Sequence, residues 1–235
     1  MNQKIKEFQT QLGVLADGEW GPVSQAALIK SKLAFSVDLV KLKSLLKLSP
    51  SFKSENLDII LSEINKSKDT KNPLFVPYIL ATVYHETAGT FSAIEEYGKG
   101  SQYKYGKVFT GKNGLKFGVA NSKGDPYSYT KYPHLYYGRG LVQLTWFDNY
   151  KKYSEILGQD ILNKPELACD IRVATAIMLH GMVNGGFTGM SLSKSIKNPS
   201  LNDYIQARKI INGSDKAELI ANYALKILSC LRLGV

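Results

Sequence analysis

The stretch Tyr137-Gly138-Arg139-Gly140-Leu141-Val142-Gln143-Leu144-Thr145-Trp146 decides the reading of this chain, together with His85-Glu86-Thr87 earlier in it. The earlier segment puts a carboxylic acid at the end of an apolar run, Ile79 to Tyr84. The later one offers a Gly-flanked turn followed by Gln143, Thr145 and Asn149. Two carboxylic acids beside a polar, aromatic-rich wall suit acid/base cleavage of a glycosidic bond.

Glu86 follows apolar residues, so its helix end is expected to pack on the core. Burial there favours a protonated acid able to donate to a leaving oxygen. A base is also needed, and Glu95 and Glu96 are the candidates. An unbroken helix over ten residues would separate the carboxylates by roughly 15 Å. An inverting pair needs about 6.5–9.5 Å. The spacing therefore works only if the chain turns at Gly89-Thr90. A hydroxyl from Thr145 could hold the attacking water; in the Gln-Leu-Thr-Trp run it could equally be a helix N-cap.

The rest of the chain reads as mainly helical. Ile5, Phe8 and Leu12 have helical spacing, Asp17-Gly18-Glu19-Trp20-Gly21-Pro22 is a turn, and Val23 to Lys30 resumes a helix. In 32–72, Leu39, Leu42, Leu45 and Leu46 form one stripe and Leu57, Ile60, Leu61 and Ile64 another. A further helix runs from Phe75 to Glu86. Residues 97–135 interleave seven glycines with Tyr and Lys, which predicts a long irregular loop or small hairpins where substrate loops tend to sit. Helices are predicted at 146–157, 165–183, 201–211 and 215–231.

The 235 residues carry 30 basic and 20 acidic side chains, a net charge of +10. Residues 1–70 hold ten Lys and eight acids, so most of the excess lies beyond them. Such a body attracts polyanions. Cys169 and Cys230 form no spaced framework and read as two buried thiols of a protein folding in a reducing cytoplasm. Residues 1–8 contain no apolar run of a signal peptide, and no stretch approaches the ~20 apolar residues of a membrane span.

His85-Glu86-Thr87-Ala88-Gly89, Glu96-Tyr97-Gly98-Lys99-Gly100, Tyr105-Gly106, the Tyr137–Tyr150 segment and Ile210-Ile211-Asn212-Gly213 stand in the order seen in family 19 glycoside hydrolases, the chitinases and related phage endolysins. The resemblance covers about residues 74–231. It implies a lysozyme-like, mostly helical bilobal domain with a cleft. It also implies Glu86 as general acid, Glu96 as general base in preference to Glu95, and Thr145 as the residue positioning water. Gln143, Asn149 and Asn212 match sugar-binding or supporting residues, Tyr137 and Arg139 join the substrate-binding set, and His85 orients its neighbours. The family commonly reads Ile-Asn-Gly-Gly where Ser214 stands here. It often places downstream an Arg that pairs with the catalytic carboxylates, yet Asp215 to Ile220 contain none; Arg139 or a Lys is expected to substitute.

Residues 9–28 resemble half of a small peptidoglycan-binding module. The expected organisation is therefore a partial binding-like module at 1–31, a helical connector at 32–72 and a catalytic domain at 73–235. The expected activity is inverting hydrolysis of the β-1,4 bond between N-acetylmuramic acid and N-acetylglucosamine, by a monomeric phage endolysin using no cofactor or metal. The expected partner is peptidoglycan, with no nucleic acid and no stable membrane insertion. The resemblance to endolysins implies synthesis in the host cytoplasm and release to the wall through a holin-type lesion. Alternatives are a chitinase, a lytic transglycosylase, and a non-catalytic basic protein binding wall or nucleic acid. A zinc peptidase is set aside because His85-Glu86 begins an H-E-x-x-H string that Gly89 ends, and because His134 and His180 lack ligand-spaced partners. A Cys peptidase is set aside because Cys169 is expected on a buried face.

Overall fold

A computed structural model describes residues 2–234. In chain order it contains α1 (Asn2–Gln11), α2 (Pro22–Lys30), β1 (Ala34–Val37), α3 (Leu39–Leu45), α4 (Ser54–Lys66), α5 (Val76–Glu86), β2 (Ile94–Glu95), β3 (Phe109–Thr110), β4 (Lys116–Val119), β5 (Pro126–Ser128) and β6 (Arg139–Gly140). There follow α6 (Phe147–Leu157), α7 (Ile171–Asn184), α8 (Leu192–Ser195), α9 (Leu201–Ala207), α10 (Ala217–Cys230) and β7 (Leu231–Gly234). The chain is mainly helical, as its periodicity predicts. It divides into two compact units: one holds the chain up to Phe91 and from Leu179 on, the other is Ser92–Met178.

The first unit is built on α5. Every residue from Val76 to Tyr84 is buried, as a helix apolar on all sides requires. Helix α10 packs against it and buries Ile220, Ala221, Ala224, Ile227 and Leu228 at helical spacing. Tyr78 stacks on Tyr204 at 6.3 Å. Each buried phenol has a partner: Tyr78 donates to the Ala207 carbonyl at 2.7 Å and Tyr204 to that of Leu74 at 3.1 Å. The predicted stripe Leu57, Ile60, Leu61 and Ile64 is wholly buried.

Two stretches differ from the helical reading: 165–183 breaks at the extended Asp170 into a 3₁₀ turn, Pro165–Cys169, and α7, and 34–37 is a strand. Residues 34–37 form β1, which pairs antiparallel with β7, Phe35 opposite Leu233. Helix α3 is consequently short, started by the Asp38 carboxylate accepting from Lys41 N at 3.0 Å, and of its stripe only Leu42 and Leu46 are fully buried. The other edge of β1 is closed by Asn65, whose amide accepts from Phe35 N at 2.8 Å and donates to its carbonyl at 2.9 Å. A ribbon between two strands this far apart in the chain leaves no local signal.

At the N-terminus the buried Gln9 amide organises the turn between α1 and α2. It reaches Asp17, the Glu19 carbonyl and Ser24 at 2.8–3.1 Å, and accepts from Gly18 N at 2.8 Å.

Helix α5 stops at Glu86. Thr87 bonds back to the Val83 carbonyl and accepts from Phe91 N, and Ala88, Gly89 and Phe91 all take positive φ. A side chain at Gly89 would come within 3.1 Å of the Tyr84 ring and 3.2 Å of Ser49 N. Glycine is thus demanded where the sequence predicts a turn.

In the second unit the Gly/Tyr/Lys segment forms the small antiparallel sheet β3-β4-β5 and two 3₁₀ turns, Tyr97–Gly100 and Lys104–Gly106. The Tyr127 ring lies over Gly118, where any Cβ would sit 2.3 Å from it. Tyr127, Tyr136, Phe147 and Tyr150 make the aromatic core. No helix among the described residues is long and apolar enough to cross a membrane.

Candidate active site

In the first unit, Glu86 is the last residue of α5, and its Oε1 accepts from Arg208 Nη1 at 2.7 Å. Arg208 is only 3% exposed. Its Nε donates to the Asp215 carbonyl at 2.9 Å, and its own carbonyl accepts from Asn212 N at 3.0 Å. One arginine thereby holds Glu86 and ties down the loop carrying Asn212, which is itself exposed. This corrects the expectation that Arg139 or a Lys would serve Glu86. The arginine lies upstream of Asn212, not downstream. A signal existed: Arg208 stands four residues after the fully buried Tyr204, on the core-facing side of the helical stretch, where an unpaired cation is costly.

His85 is half-buried beside this pair. Burial holds its pKa below the ordinary histidine value, against the opposing charge of Glu86. The folded chain then binds fewer protons than the unfolded one, so stability is full above about pH 6.5 and falls as acid takes the pH lower. Thermal melting is expected to be flat from neutral pH upward and to decline below that value. The variant His85→Gln should weaken the decline.

In the second unit, β2 pairs with β6, Glu95 opposite Arg139. The neighbouring glutamates have separate partners. Glu96 Oε2 accepts from Gly138 N at 2.9 Å, Oε1 from the Tyr105 hydroxyl at 2.8 Å, and Glu96 N donates to the Gly138 carbonyl at 2.7 Å. A Cβ on Gly138 would lie 2.6 Å from Gln143 Oε1 and 3.3 Å from Glu96 Oε2, so glycine there lets both side chains approach. Gln143 occupies the tight turn at positive φ, its amide 3.4 Å from the Ile94 and Gly140 carbonyls. The Tyr105 ring stacks on Tyr103 and meets Trp146 edge-on. Burial, then the bond to Glu96, raises its hydroxyl above the ordinary phenol value, so it remains a donor.

Glu95 Oε1 accepts from the Tyr137 hydroxyl at 2.8 Å and Arg139 Nε at 3.1 Å. Burial raises the Glu95 pKa, but these bonds and the Arg139 charge outweigh it and the net shift is downward. Tyr137 and Arg139 are buried. Trp146, not Thr145, is the N-cap residue of α6. Thr145 is partly exposed, and its carbonyl accepts from Asn149 Nδ2 at 2.8 Å. Cys169 and Cys230 are both free, Cys169 half-buried and Cys230 buried. Among the described residues no three His, Cys, Asp or Glu side chains gather as a metal site.

A helical chain holding carboxylates in built donor sets fits the glycosidase class. Residues 65–191 match the family of class I chitinases, glycoside hydrolase family 19. The chain belongs to that family. It is 32% identical to endochitinase A2 of Pisum sativum over a segment covering 33% of this chain and 28% of that one. It is 50% identical to inactive chitinase-like protein 1 of Hevea brasiliensis over 16% of this chain and 12% of that one. The matched segments thus span well under half of these relatives. Chitinase C of Streptomyces griseus HUT6037 shares the fold, with a TM-score of 0.52 and 23% identity over 82% of this chain and 76% of that one.

Proposed function

We propose that this chain hydrolyses the β-1,4 bond between N-acetylmuramic acid and N-acetylglucosamine in peptidoglycan, with inversion, as a phage endolysin. Glu86 protonates the leaving oxygen. Glu96 deprotonates a water that attacks the opposite face of the sugar. Thr145 helps hold that water, and Gln143, Asn149 and Asn212 contact or support the sugar. The observation that carries this reading is the donor set around Glu96: Gly138 N and the Tyr105 hydroxyl each take one carboxylate oxygen. Such fixed donors hold the carboxylate in one orientation, as a positioned base requires.

Peptidoglycan is favoured by the net charge of +10, suited to an anionic wall, and by the helix-turn-helix around Gln9 that resembles half a wall-binding module. In this reading the protein is made in the host cytoplasm and meets the wall after holin-type release. A second reading is supported by the relatives, whose names are those of chitinases. Both polymers join N-acetylated hexosamines by β-1,4 bonds, so one acid/base pair serves either.

Digestion of purified peptidoglycan and of chitin oligomers, with mass spectrometry of the fragments, separates these readings. Reducing-end muramic acid products support the muramidase. Cleavage of chitin oligomers alone makes the chain a chitinase, and anhydro sugars make it a lytic transglycosylase. The variant Tyr105→Phe keeps the stacked ring and removes one donor to Glu96. It is expected to lower kcat by ~10-fold with little change in KM, measured on the cleaved substrate.

A further inference from the structure

The two pairs of β2 and β6 are too few to hold a ribbon by backbone alone. What fixes it is an alternation along Tyr137–Gly140. Side chains of successive strand residues point to opposite faces, and directly opposed residues share one. Glu95 opposes Arg139, and it is gripped by the Arg139 guanidinium and the Tyr137 hydroxyl. Glu96, one step on, is gripped by Gly138, one step back from Arg139.

The grip on Glu95 leaves Tyr137 and Arg139 little to offer a ligand. Arg139 is 5% exposed; its guanidinium lies 3.7 Å over the Tyr137 ring and also donates to the Leu135 carbonyl at 3.2 Å and the Tyr150 hydroxyl at 3.1 Å. Tyr150 in turn donates to the Tyr137 carbonyl at 3.0 Å. The Tyr137 ring is therefore held at its hydroxyl, its face and its backbone.

We propose that Glu95, Tyr137 and Arg139 are a positioning unit: they hold the β2–β6 ribbon so that Gly138 N presents Glu96 in working orientation, and they act on Glu95 and not on the sugar. The proposal rests on the reading of Glu96 as the general base. It separates two adjacent glutamates by role, one moving a proton and one anchoring the strand. It also reassigns Tyr137 and Arg139 from substrate binding to positioning.

The test compares Tyr137→Phe, Glu95→Gln and Glu96→Gln in the full chain, all three near-isosteric, with melting curves to verify folding. Kinetics are measured on soluble glycan strands or a chitin hexamer, whichever the wild type cleaves. Tyr137→Phe is expected to lower kcat by ~10-fold with KM within about twofold of wild type, because displaced groups cost rate before binding. Glu95→Gln keeps an acceptor oxygen for both donors and should likewise retain measurable turnover. Glu96→Gln should lose ~10²–10⁴-fold. A raised KM with unchanged kcat in Tyr137→Phe would show a sugar contact and overturn the proposal. So would wild-type kcat in both Tyr137→Phe and Glu95→Gln. An inactive Glu95→Gln beside an active Glu96→Gln would instead overturn the assignment of the base itself.

Discussion

Replacing Glu86 by Gln is expected to lower kcat by ~10²–10⁴-fold, the range for losing a general acid. Gln is close in size and retains a carbonyl oxygen for the Arg208 bond of 2.7 Å, so α5 should keep its end and its packing. What it lacks is the transferable proton. KM should therefore change little, since an interaction made only in the transition state is removed. A substrate with a leaving group that needs no protonation should recover much of the lost rate. Preserved activity on the natural polymer would exclude Glu86 as the acid.

Arg208→Ala should damage both stability and activity. Arg208 is 3% exposed, pairs with Glu86 and ties the Asp215 carbonyl. Removing one partner of a buried pair typically costs about 3–5 kcal/mol. Glu86 keeps 17% of its side-chain surface, so partial hydration puts the expectation at the lower end, roughly 3 kcal/mol. At about 2–4 °C per kcal/mol for a chain of this size, melting should fall by roughly 6–12 °C. The Asn212 loop loses its tether at the same time, so kcat should drop beyond what instability explains at a temperature where the variant is folded. Arg208→Lys should restore charge but not the second bond through Nε, recovering stability better than rate.

Much of the fold was legible because local pattern and burial coincide. Leu57, Ile60, Leu61 and Ile64 are spaced for a buried face and are buried. Gly89 and Thr90 permit a turn, and the chain turns there just after helix α5 ends at Glu86. The β1–β7 ribbon was not legible, since Phe35 finds Leu233 at the far end of the chain and no window contains both. The neighbours of the candidate site divide the same way. Gly138 and Gln143 lie within one motif, and Gly138 meets both Gln143 and Glu96. Arg208 reaches Glu86 across 122 positions, and only its place on a core-facing stripe hinted at a buried charge. Tyr105 showed no sign in sequence that its hydroxyl, and not its ring, would meet Glu96.

The proposed reaction is single-displacement hydrolysis with Glu86 as acid and Glu96 as base. Time-resolved proton NMR of the first product formed by the wild-type enzyme tests it most directly. Inversion at a β-1,4 bond predicts that the α-anomer appears first, before mutarotation. A β-anomer first, or a 1,6-anhydro product with no reducing end, would exclude that reaction.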